Sequence, residues 1–338
     1  MTTKFFLLVF TIICSTNLLA EVTQKGALNL YIENDTRDLG GPGSDNAYTN
    51  GFKLSFVAAE NQIPNWATFF IEASTFLKDQ LKESQSNFGI SFGHKIFTPN
   101  DIRASELITD DRPYAAWMYL GFSAHFENAV RSHTFELDIG LIGPAALGEN
   151  VQNGYHKMIK KYLAEGWKNQ LRNEPTLQLS YQQRLSFFQL NRTNSKYKYL
   201  DLVPFFGASA GNVEIKIHSG LMIRLGQRLP NDFGPSRPSQ NDGDHFTEPQ
   251  VSHAEKTYFY GFMAGRANFV ARNIFLDGNT FGNSHSVSKN PFVFETELGF
   301  VGNLDQFSAT WSFVTRSPEF KERSAINSFA SISLGYTY

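Results

Sequence analysis

The sequence predicts an all-β protein: a transmembrane, antiparallel, up-and-down β-barrel of about twelve strands with a short helix in an outer loop. Three observations lead to this prediction: an apolar segment at the N-terminus, an alternation of apolar and polar residues along the chain, and an aromatic residue at the C-terminus. Aromatic residues make up 14% of the chain, yet the mean hydropathy of −0.29 is slightly polar. This combination is typical of strands with one apolar and one polar face.

Residues 1–20 have the features of a secretory signal peptide. Lys4 supplies a positive charge, Phe5–Cys14 is an apolar run interrupted by one threonine, and the segment ends at the small residue Ala20. The apolar run is too short to cross a membrane as a helix. We therefore predict a signal peptide over 1–20 and a single β-barrel domain over 21–338. The one cysteine lies in the signal peptide, so we expect no disulfide in the mature chain.

The C-terminal segment SISLGYTY shows the alternation most clearly. Ile332, Leu334, Tyr336 and Tyr338 fall on one face, and small or polar residues fall on the other. Large apolar residues on the outside and small polar residues on the inside are typical of a lipid-facing barrel strand. The terminal Tyr338 resembles the assembly signal of outer-membrane barrels. An amphipathic strand in a soluble sandwich is the alternative interpretation.

Similar segments recur along the chain and predict twelve strands. They are 27–35, 47–58, 86–97, 114–126, 132–142, 174–188, 198–209, 214–226, 256–270, 290–301, 305–316 and 326–338. If residue 27 starts in the periplasm, alternate connections lie outside, among them 36–46, 98–113, 143–173, 271–289 and 317–325. The connections 59–85 and 227–254 are then periplasmic, and they are long for that side.

The third outer connection contains a helical pattern. On a 3.6-residue wheel one apolar stripe is formed by Val151, Tyr155, Met158, Ile159, Tyr162 and Leu163. Lys157, Lys160 and Lys161 project from the other side. Gln152 and His156 are four residues apart and lie together at the edge of the stripe. His156 is therefore expected where an apolar surface meets a polar one, which suits a substrate with an acyl chain beside a charged head.

The first outer connection is rich in oxygen donors. Around a Gly-Gly-Pro-Gly turn it carries Glu33, Asn34, Asp35, Asp38 and Asp45. Such oxygens, with free backbone carbonyls, suit a hard cation such as Ca²⁺. A polar barrel loop rich in turn formers is the alternative. The segment NDGDH (241–245) also resembles a cation loop, and we interpret it as solvated. The formal net charge of −2 indicates no general attraction to nucleic acid.

Several longer motifs carry a family resemblance. They are YIENDT (31–36), YTNGFKLSF (48–56), DRPYAAWMYLGF (111–122), GLIGPAALGENVQNGYHKMI (140–159), GWKNQLRNEP (166–175) and LPNDFGPSRPS (229–239). In this order and spacing the chain resembles the lipid A 3′-O-deacylase family of outer-membrane enzymes. The resemblance implies a twelve-stranded barrel with its site between the wall and a short outer helix. It also implies Ca²⁺-dependent hydrolysis of an ester-linked acyloxyacyl chain of lipid A.

The resemblance also implies residue roles. His156 matches the catalytic histidine of the family, Asn34 and Asp35 match its metal-binding pair, and Thr49 matches the hydroxyl residue of its YT-x-G element. Gln152 is a neighbour of His156 by helix geometry. The family also uses a lysine after the third strand, where this sequence (98–106) offers Arg103 instead.

The chemistry agrees with these roles. No serine in the sequence stands out as an activated nucleophile, so a histidine acting as general base on water is the expected mechanism. We predict that His156 activates water, that Asp35 and Asn34 bind Ca²⁺, and that Asn34, Thr49 and Gln152 orient or stabilise the intermediate. The expected protein is a monomeric outer-membrane hydrolase that acts on lipopolysaccharide from the outer leaflet. A non-enzymatic channel or structural barrel and a serine-type phospholipase are the alternatives.

Overall fold

A closed antiparallel sheet dominates the structure, a computed structural model that describes residues 26–35, 47–58, 81, 84–191, 198–237 and 257–338. Its strands are β1 (Ala27–Asn34), β2 (Ala47–Val57), β3 (Gln85–Thr98), β4 (Ala115–Glu127), β5 (Arg131–Ile142), β6 (Glu174–Leu185), β7 (Phe188–Asn191), β8 (Lys198–Gly211), β9 (Glu214–Leu229), β10 (Tyr258–Asn273), β11 (Phe292–Leu304), β12 (Phe307–Arg316) and β13 (Asn327–Thr337). Two helices, α1 (Gly148–Met158) and α2 (Ile274–Asp277), and two 3-10 turns, Pro144–Ala146 and Gly166–Asn169, lie in the connections.

Pairing of the first and last strands closes the barrel. Ala27 pairs with Thr337 and Asn34 pairs with Ala330, while β6 pairs with β8. In the described chain, twelve strands therefore form the ring, and β7 is an additional short strand that pairs with β8 alone. The predicted twelve-stranded antiparallel barrel is confirmed.

One predicted strand, 174–188, is wrong at its end. β6 stops at Leu185, where the backbone N–H of Ser186 donates to the Val130 carbonyl. The next N–H, of Phe187, donates to the Leu202 carbonyl on the other side. The chain therefore leaves its pairing with β5 and continues as the separate strand β7 beside β8.

The barrel is apolar outside and polar inside. On β11, for example, Phe292, Phe294 and Leu298 are exposed, whereas the intervening Glu295 and Glu297 are buried. This inverted pattern is the one a lipid-facing wall requires. No helix in the described part of the chain is long and apolar enough to cross a membrane.

Paired charges fill the lumen. Salt bridges of 2.6 Å join Lys53 to Glu136, Arg112 to Glu319 and Arg224 to Asp201. All six side chains are almost fully buried, and pairing offsets the cost of removing their charges from water. A luminal cavity of about 50 Å³ is left near the end of the barrel that the sequence predicts to be the outer one, where β3 ends and β4 begins.

Residues 230–237, here called the luminal segment, also occupy the barrel interior. Arg184 Nη1 donates to three carbonyl oxygens of residues 233–235, at 3.0, 3.1 and 2.9 Å. Further along, Arg237 forms a salt bridge of 2.7 Å with Glu295, which lies near the outer end of β11. The sequence placed 227–254 in a periplasmic connection. The described part does leave β9 at the predicted end, but the chain turns back into the lumen after Leu229, which the sequence did not predict.

The outer mouth is capped by the connection after β10. Its short helix α2 buries Phe275, whose ring stacks on Phe97 with the centroids 3.9 Å apart. Glu174, at the start of β6, accepts hydrogen bonds from the backbone of Thr280 and the side chain of Asn279. These contacts hold the cap over the polar interior.

Candidate active site

The connection between β5 and β6 folds back against the outside of the barrel. Its small core consists of Ile96, Ile102, Tyr114, Ala116, Ala146, Ala164 and Trp167. His94 Nε2 on β3 donates to the Ala146 carbonyl at 2.7 Å, which ties the first 3-10 turn to the wall. Gly148, the first residue of α1, lies so close that a Cβ there would be 2.5 Å from both Ala116 and Trp167. The IGP…G part of the motif therefore places α1 directly on the wall.

Helix α1 turns two polar side chains, Gln152 and His156, inward and its apolar stripe outward. Gln152 and His156 are buried, whereas Val151, Tyr155 and Met158 of the predicted stripe are exposed. The helix ends at Met158 and does not continue through Leu163, as the stripe indicated. This orientation is the reverse of that in a water-soluble protein, as expected for a helix beside a membrane.

A groove of about 410 Å³ runs between α1 and the outer wall. It is lined by Ile32, Asn34, Thr49, Asn50, Ile96, Val151, Gln152, Tyr155, His156, Ala330 and Ile332. The structure therefore brings together four of the predicted site residues, Asn34, Thr49, Gln152 and His156. Most of the other lining side chains are apolar, so the groove joins a hydrocarbon surface to a small polar patch.

The hydrogen bond of His156 fixes its tautomer. Its Nδ1 lies 2.6 Å from the Tyr162 carbonyl oxygen. Because a carbonyl can only accept, Nδ1 carries the hydrogen, and in the neutral ring Nε2 holds the lone pair. Nε2 is thus the atom of His156 that can take a proton from water, and the ring is held in one orientation.

The amide of Gln152 is also oriented by a neighbour. Trp167 Nε1 donates to Gln152 Oε1 at 2.9 Å. The amide nitrogen Nε2 of Gln152 is buried and has no hydrogen-bond partner among the described residues. The sequence did not predict this bond between Trp167 and Gln152.

A β-bulge presents Thr49 to the groove. The register between β2 and β3 shifts between Tyr48 and Asn50. Tyr48 turns into the lumen, where its hydroxyl donates to Glu33 at 2.5 Å, while Thr49 lines the groove. Thr49 Oγ1 lies 2.7 Å from Thr98 Oγ1. Bulges commonly redirect a side chain in this way beside functional sites.

Asp35 lies next to the groove rather than in its lining. It follows Asn34 at the end of β1, is 5% exposed, and its backbone N–H donates to the Thr49 carbonyl at 3.4 Å. The pKa of the neighbouring Arg323 is lowered, mainly by burial and next by the charge of Arg112. Nearby carboxylates, including Asp35, oppose this shift. The Asp35 carboxylate is therefore within electrostatic reach of the outer loop that carries Arg323.

The comparison with protein families decides the classification. The family described as "Outer membrane protein LpxR" matches residues 5–338. The chain belongs to the LpxR family of outer-membrane proteins. This membership confirms the resemblance seen in the motifs and the outer-membrane location.

One solved structure shows the same fold, and a second is similar to a lower degree. LpxR from Salmonella typhimurium superimposes with a TM-score of 0.73 at 18% sequence identity, covering 92% of this chain and 99% of that one. The β domain of the Bordetella autotransporter BrkA matches at a TM-score of 0.42 and 10% identity, covering 93% and 97%. No curated protein matches the sequence. At 18% identity the likeness to the Salmonella structure shows the fold alone.

The donors beside the groove fit a calcium ion chemically. Asp35 offers a carboxylate and Asn34 an amide oxygen, and hard oxygens are the ligands that Ca²⁺ prefers. The described residues contain no group of three or more His, Cys, Asp or Glu side chains that could hold an ion. At most one further ligand from this part of the chain could then be a carboxylate or an imidazole, and the others would be hydroxyl, amide or carbonyl oxygens or water. Asp38, Asp45, the segment 241–245 and the predicted signal peptide lie outside the described residues.

Arg103 occupies the region where the LpxR family resemblance implies a lysine. Its guanidinium lies 5.3 Å from the ring centroid of Tyr162 and 3.7 Å from Asp101. The side chain is largely exposed and does not line the groove. Arg103 is therefore close to the residue that anchors His156, but it is outside the patch formed by Asn34, Thr49, Gln152 and His156.

Proposed function

We propose that this protein hydrolyses the 3′-linked acyloxyacyl ester of lipid A in the outer leaflet of the outer membrane. One observation carries the proposal. The buried polar side chains of Gln152 and His156 face the same groove as the apolar residues of the outer barrel wall. An ester at the junction of an acyl chain and a polar head would meet a base and a hydrogen-bond donor there.

The groove is accessible from the membrane. Ile32 and Ile332 line it and are also exposed on the outer wall, so its surface continues into the lipid-facing surface. The start of β1 and the end of β13 meet at the other end of the barrel, where the Tyr338 N–H donates to the Gly26 carbonyl. Because both ends of a bacterial barrel lie in the periplasm, the groove is assigned to the outer leaflet. Lipopolysaccharide resides in that leaflet.

His156 has the geometry of a general base. Its Nε2 would accept a proton from a water molecule as the oxygen attacks the ester carbonyl, and the Tyr162 carbonyl would stabilise the imidazolium through Nδ1–H. The Gln152 amide would donate to the developing oxyanion, and Asn34 and Thr49 would orient the ester. When the intermediate collapses, His156 returns the proton to the leaving sugar oxygen. The products are the free acyloxyacyl acid and a 3′-hydroxyl.

Calcium is the cofactor proposed for this site. Asp35 and Asn34 would hold the ion, and when bound it would polarise the ester carbonyl and favour negative charge on its oxygen.

The observations give less support to the alternative functions. A serine-type phospholipase would require a serine in the groove, and none occurs among the described residues that line it. Paired charges and the luminal segment fill the interior, as in the Arg237–Glu295 bridge, whereas a channel needs an open passage. We expect the protein to act as a monomer and to have no nucleic-acid partner.

Mass spectrometry of lipid A tests the proposal. Lipid A would be extracted from cells that express the protein, from cells without it, and from cells with His156→Ala. We expect the 3′ acyloxyacyl group to be lost with the wild-type protein alone. The proposed reaction would be refuted if lipid A stayed intact in cells whose outer membrane contains the folded protein. It would also have to stay intact after detergent is added to activate the protein.

A further inference from the structure

We infer that Trp167 is a positioning residue that holds the Gln152 amide in the orientation needed to stabilise the oxyanion. This inference rests on the proposed function. It concerns a residue that does not line the groove and acts through another side chain. The evidence is the hydrogen bond from Trp167 Nε1 to Gln152 Oε1, at 2.9 Å.

The chemistry of the two groups allows one orientation. An indole N–H can only donate, so the amide atom that faces it must be the oxygen. The other branch of the amide, Nε2, then points away from Trp167. It is buried, has no hydrogen-bond partner among the described residues, and belongs to a side chain that lines the groove. Because an unsatisfied buried donor is unfavourable, this NH₂ group is best explained by a partner that arrives with the substrate.

The indole itself is fixed. Trp167 is 1% exposed, lies in the 3-10 turn Gly166–Asn169, and packs on Tyr114 with the ring centroids 5.0 Å apart. The ring also lies against Gly148, where a Cβ would be 2.5 Å away. A reversed Gln152 amide would therefore bring two N–H donors together, since the indole has no room to move aside.

The orientation matters more than the presence of the amide. An oxyanion is stabilised by a donor that is already aimed at it before the reaction. A reversed amide would direct oxygen lone pairs at the developing negative charge and would oppose the reaction. Trp167 thus favours one of two orientations of the Gln152 amide, which are similar in shape but have opposite effects on the oxyanion.

The test is a double-mutant cycle on the purified protein in detergent, with lipid A as substrate. Trp167→Phe keeps an aromatic ring and removes the N–H. We expect kcat to fall by about tenfold or more, with KM changed by less than about twofold. Gln152→Ala should lower kcat by about a hundredfold. The double variant should be no slower than Gln152→Ala, because Trp167 acts through the amide.

Trp117→Phe is the matched control. Trp117 is equally buried, and its Nε1–H also donates over 2.9 Å, to Thr176 Oγ1. It lies beneath Lys95 on the luminal side and is absent from the groove lining. Removal of this N–H by Trp117→Phe is expected to leave kcat unchanged. Equal kcat values for Trp167→Phe and wild type would overturn the inference. A loss of kcat in the double variant equal to the product of the two single losses would do so too.

Two further measurements keep the result interpretable. If Trp167→Phe fails the heat-modifiable gel shift of a folded barrel, benzothienylalanine at position 167 provides the same shape without the N–H, and the same kcat loss is expected. If the wild type releases no acyl chain from lipid A, the proposed function fails separately. The positioning role is then tested by hydrogen exchange of the Trp167 indole, which should be faster in Gln152→Ala. Equal exchange would contradict it.

Discussion

Each reactive side chain of the candidate site is oriented by one neighbour. The Tyr162 carbonyl fixes the tautomer of His156, and the Trp167 indole fixes the amide of Gln152. Both neighbours follow α1 in the chain, and the segment that carries them is tied back to the helix by two hydrogen bonds between Asn153 and Ala164. The site is therefore organised before a substrate enters, which is the condition for electrostatic stabilisation of a transition state.

Asp35→Ala tests the calcium proposal at the residue scale. After chelation, the wild-type enzyme should lose most of its lipid A hydrolysis and regain it with Ca²⁺. The variant should need at least about tenfold more Ca²⁺, because it lacks a charged oxygen ligand. The measurement is acyl release as a function of free Ca²⁺. Asp101→Ala removes an exposed carboxylate of the outer surface and should respond like the wild type. Full activity of the chelated wild type would exclude a calcium requirement.

The sequence predicted part of this residue-level arrangement. Asn34, Thr49, Gln152 and His156 do share one groove, because their motif positions and the helical spacing of Gln152 and His156 were both informative. Trp167 was missed. It is fifteen residues beyond Gln152, and no periodicity links a residue in a separate 3-10 turn to a helix.

At the element scale, close packing of α1 on the wall controls the width of the groove. Gly148 is the contact point, since any Cβ there would collide with Ala116 and Trp167. His94 anchors the preceding turn from the wall side through Ala146. Displacement of this helix would move Gln152 and His156 away from Asn34 and Thr49 together.

Gly148→Ala and Gly154→Ala separate this packing from helix stability. Gly148→Ala should lower acyl release by about tenfold or more, because α1 must shift by part of an ångström or more. Gly154 lies in the same helix with nothing within 4 Å of its added Cβ. Gly154→Ala should therefore retain activity and stabilise the helix by about 0.5–1 kcal/mol. Equal activity of the two variants, measured under the same conditions, would argue against the packing role.

The location of the helix was predicted correctly from the sequence, but its end and its orientation in the fold were not. Periodicity predicted a stripe as far as Leu163, whereas α1 ends at Met158 and Lys160 has a φ of 56°. A periodic pattern does not show where the chain reverses when no glycine marks the end. That the stripe faces outward follows from the surrounding membrane, which makes the outside of the protein apolar.

At the scale of the whole molecule, the alternation of apolar and polar residues predicted the barrel and its strands well. The strand expected over 86–97 is Gln85–Thr98, and the other ring strands agree to within a few residues. Lipid on one side and polar contacts on the other impose a strict period of two, which survives in the sequence. The luminal segment 230–237 was not predicted, because its contacts with Arg184 and Glu295 join residues distant in the chain.

The luminal segment leads to a prediction about conductance. In planar lipid bilayers the wild-type protein should show no steady ion conductance, because paired charges and residues 230–237 fill the lumen. Replacing both Arg184 and Arg237 by Ala should release the segment and produce openings. A steady conductance of the intact wild type, as in wide porins, would contradict the filled interior and support the channel alternative.

Release of the acyloxyacyl acid from purified lipid A by the detergent-solubilised protein tests the central claim most directly. The matched variants are His156→Ala and His125→Ala. His125 is also buried but bonds to Ser123 near the opposite end of β4. We predict release by the wild type and His125→Ala, and a loss of about a hundredfold or more for His156→Ala. Equal rates for the two folded variants would contradict a groove in which His156 activates water.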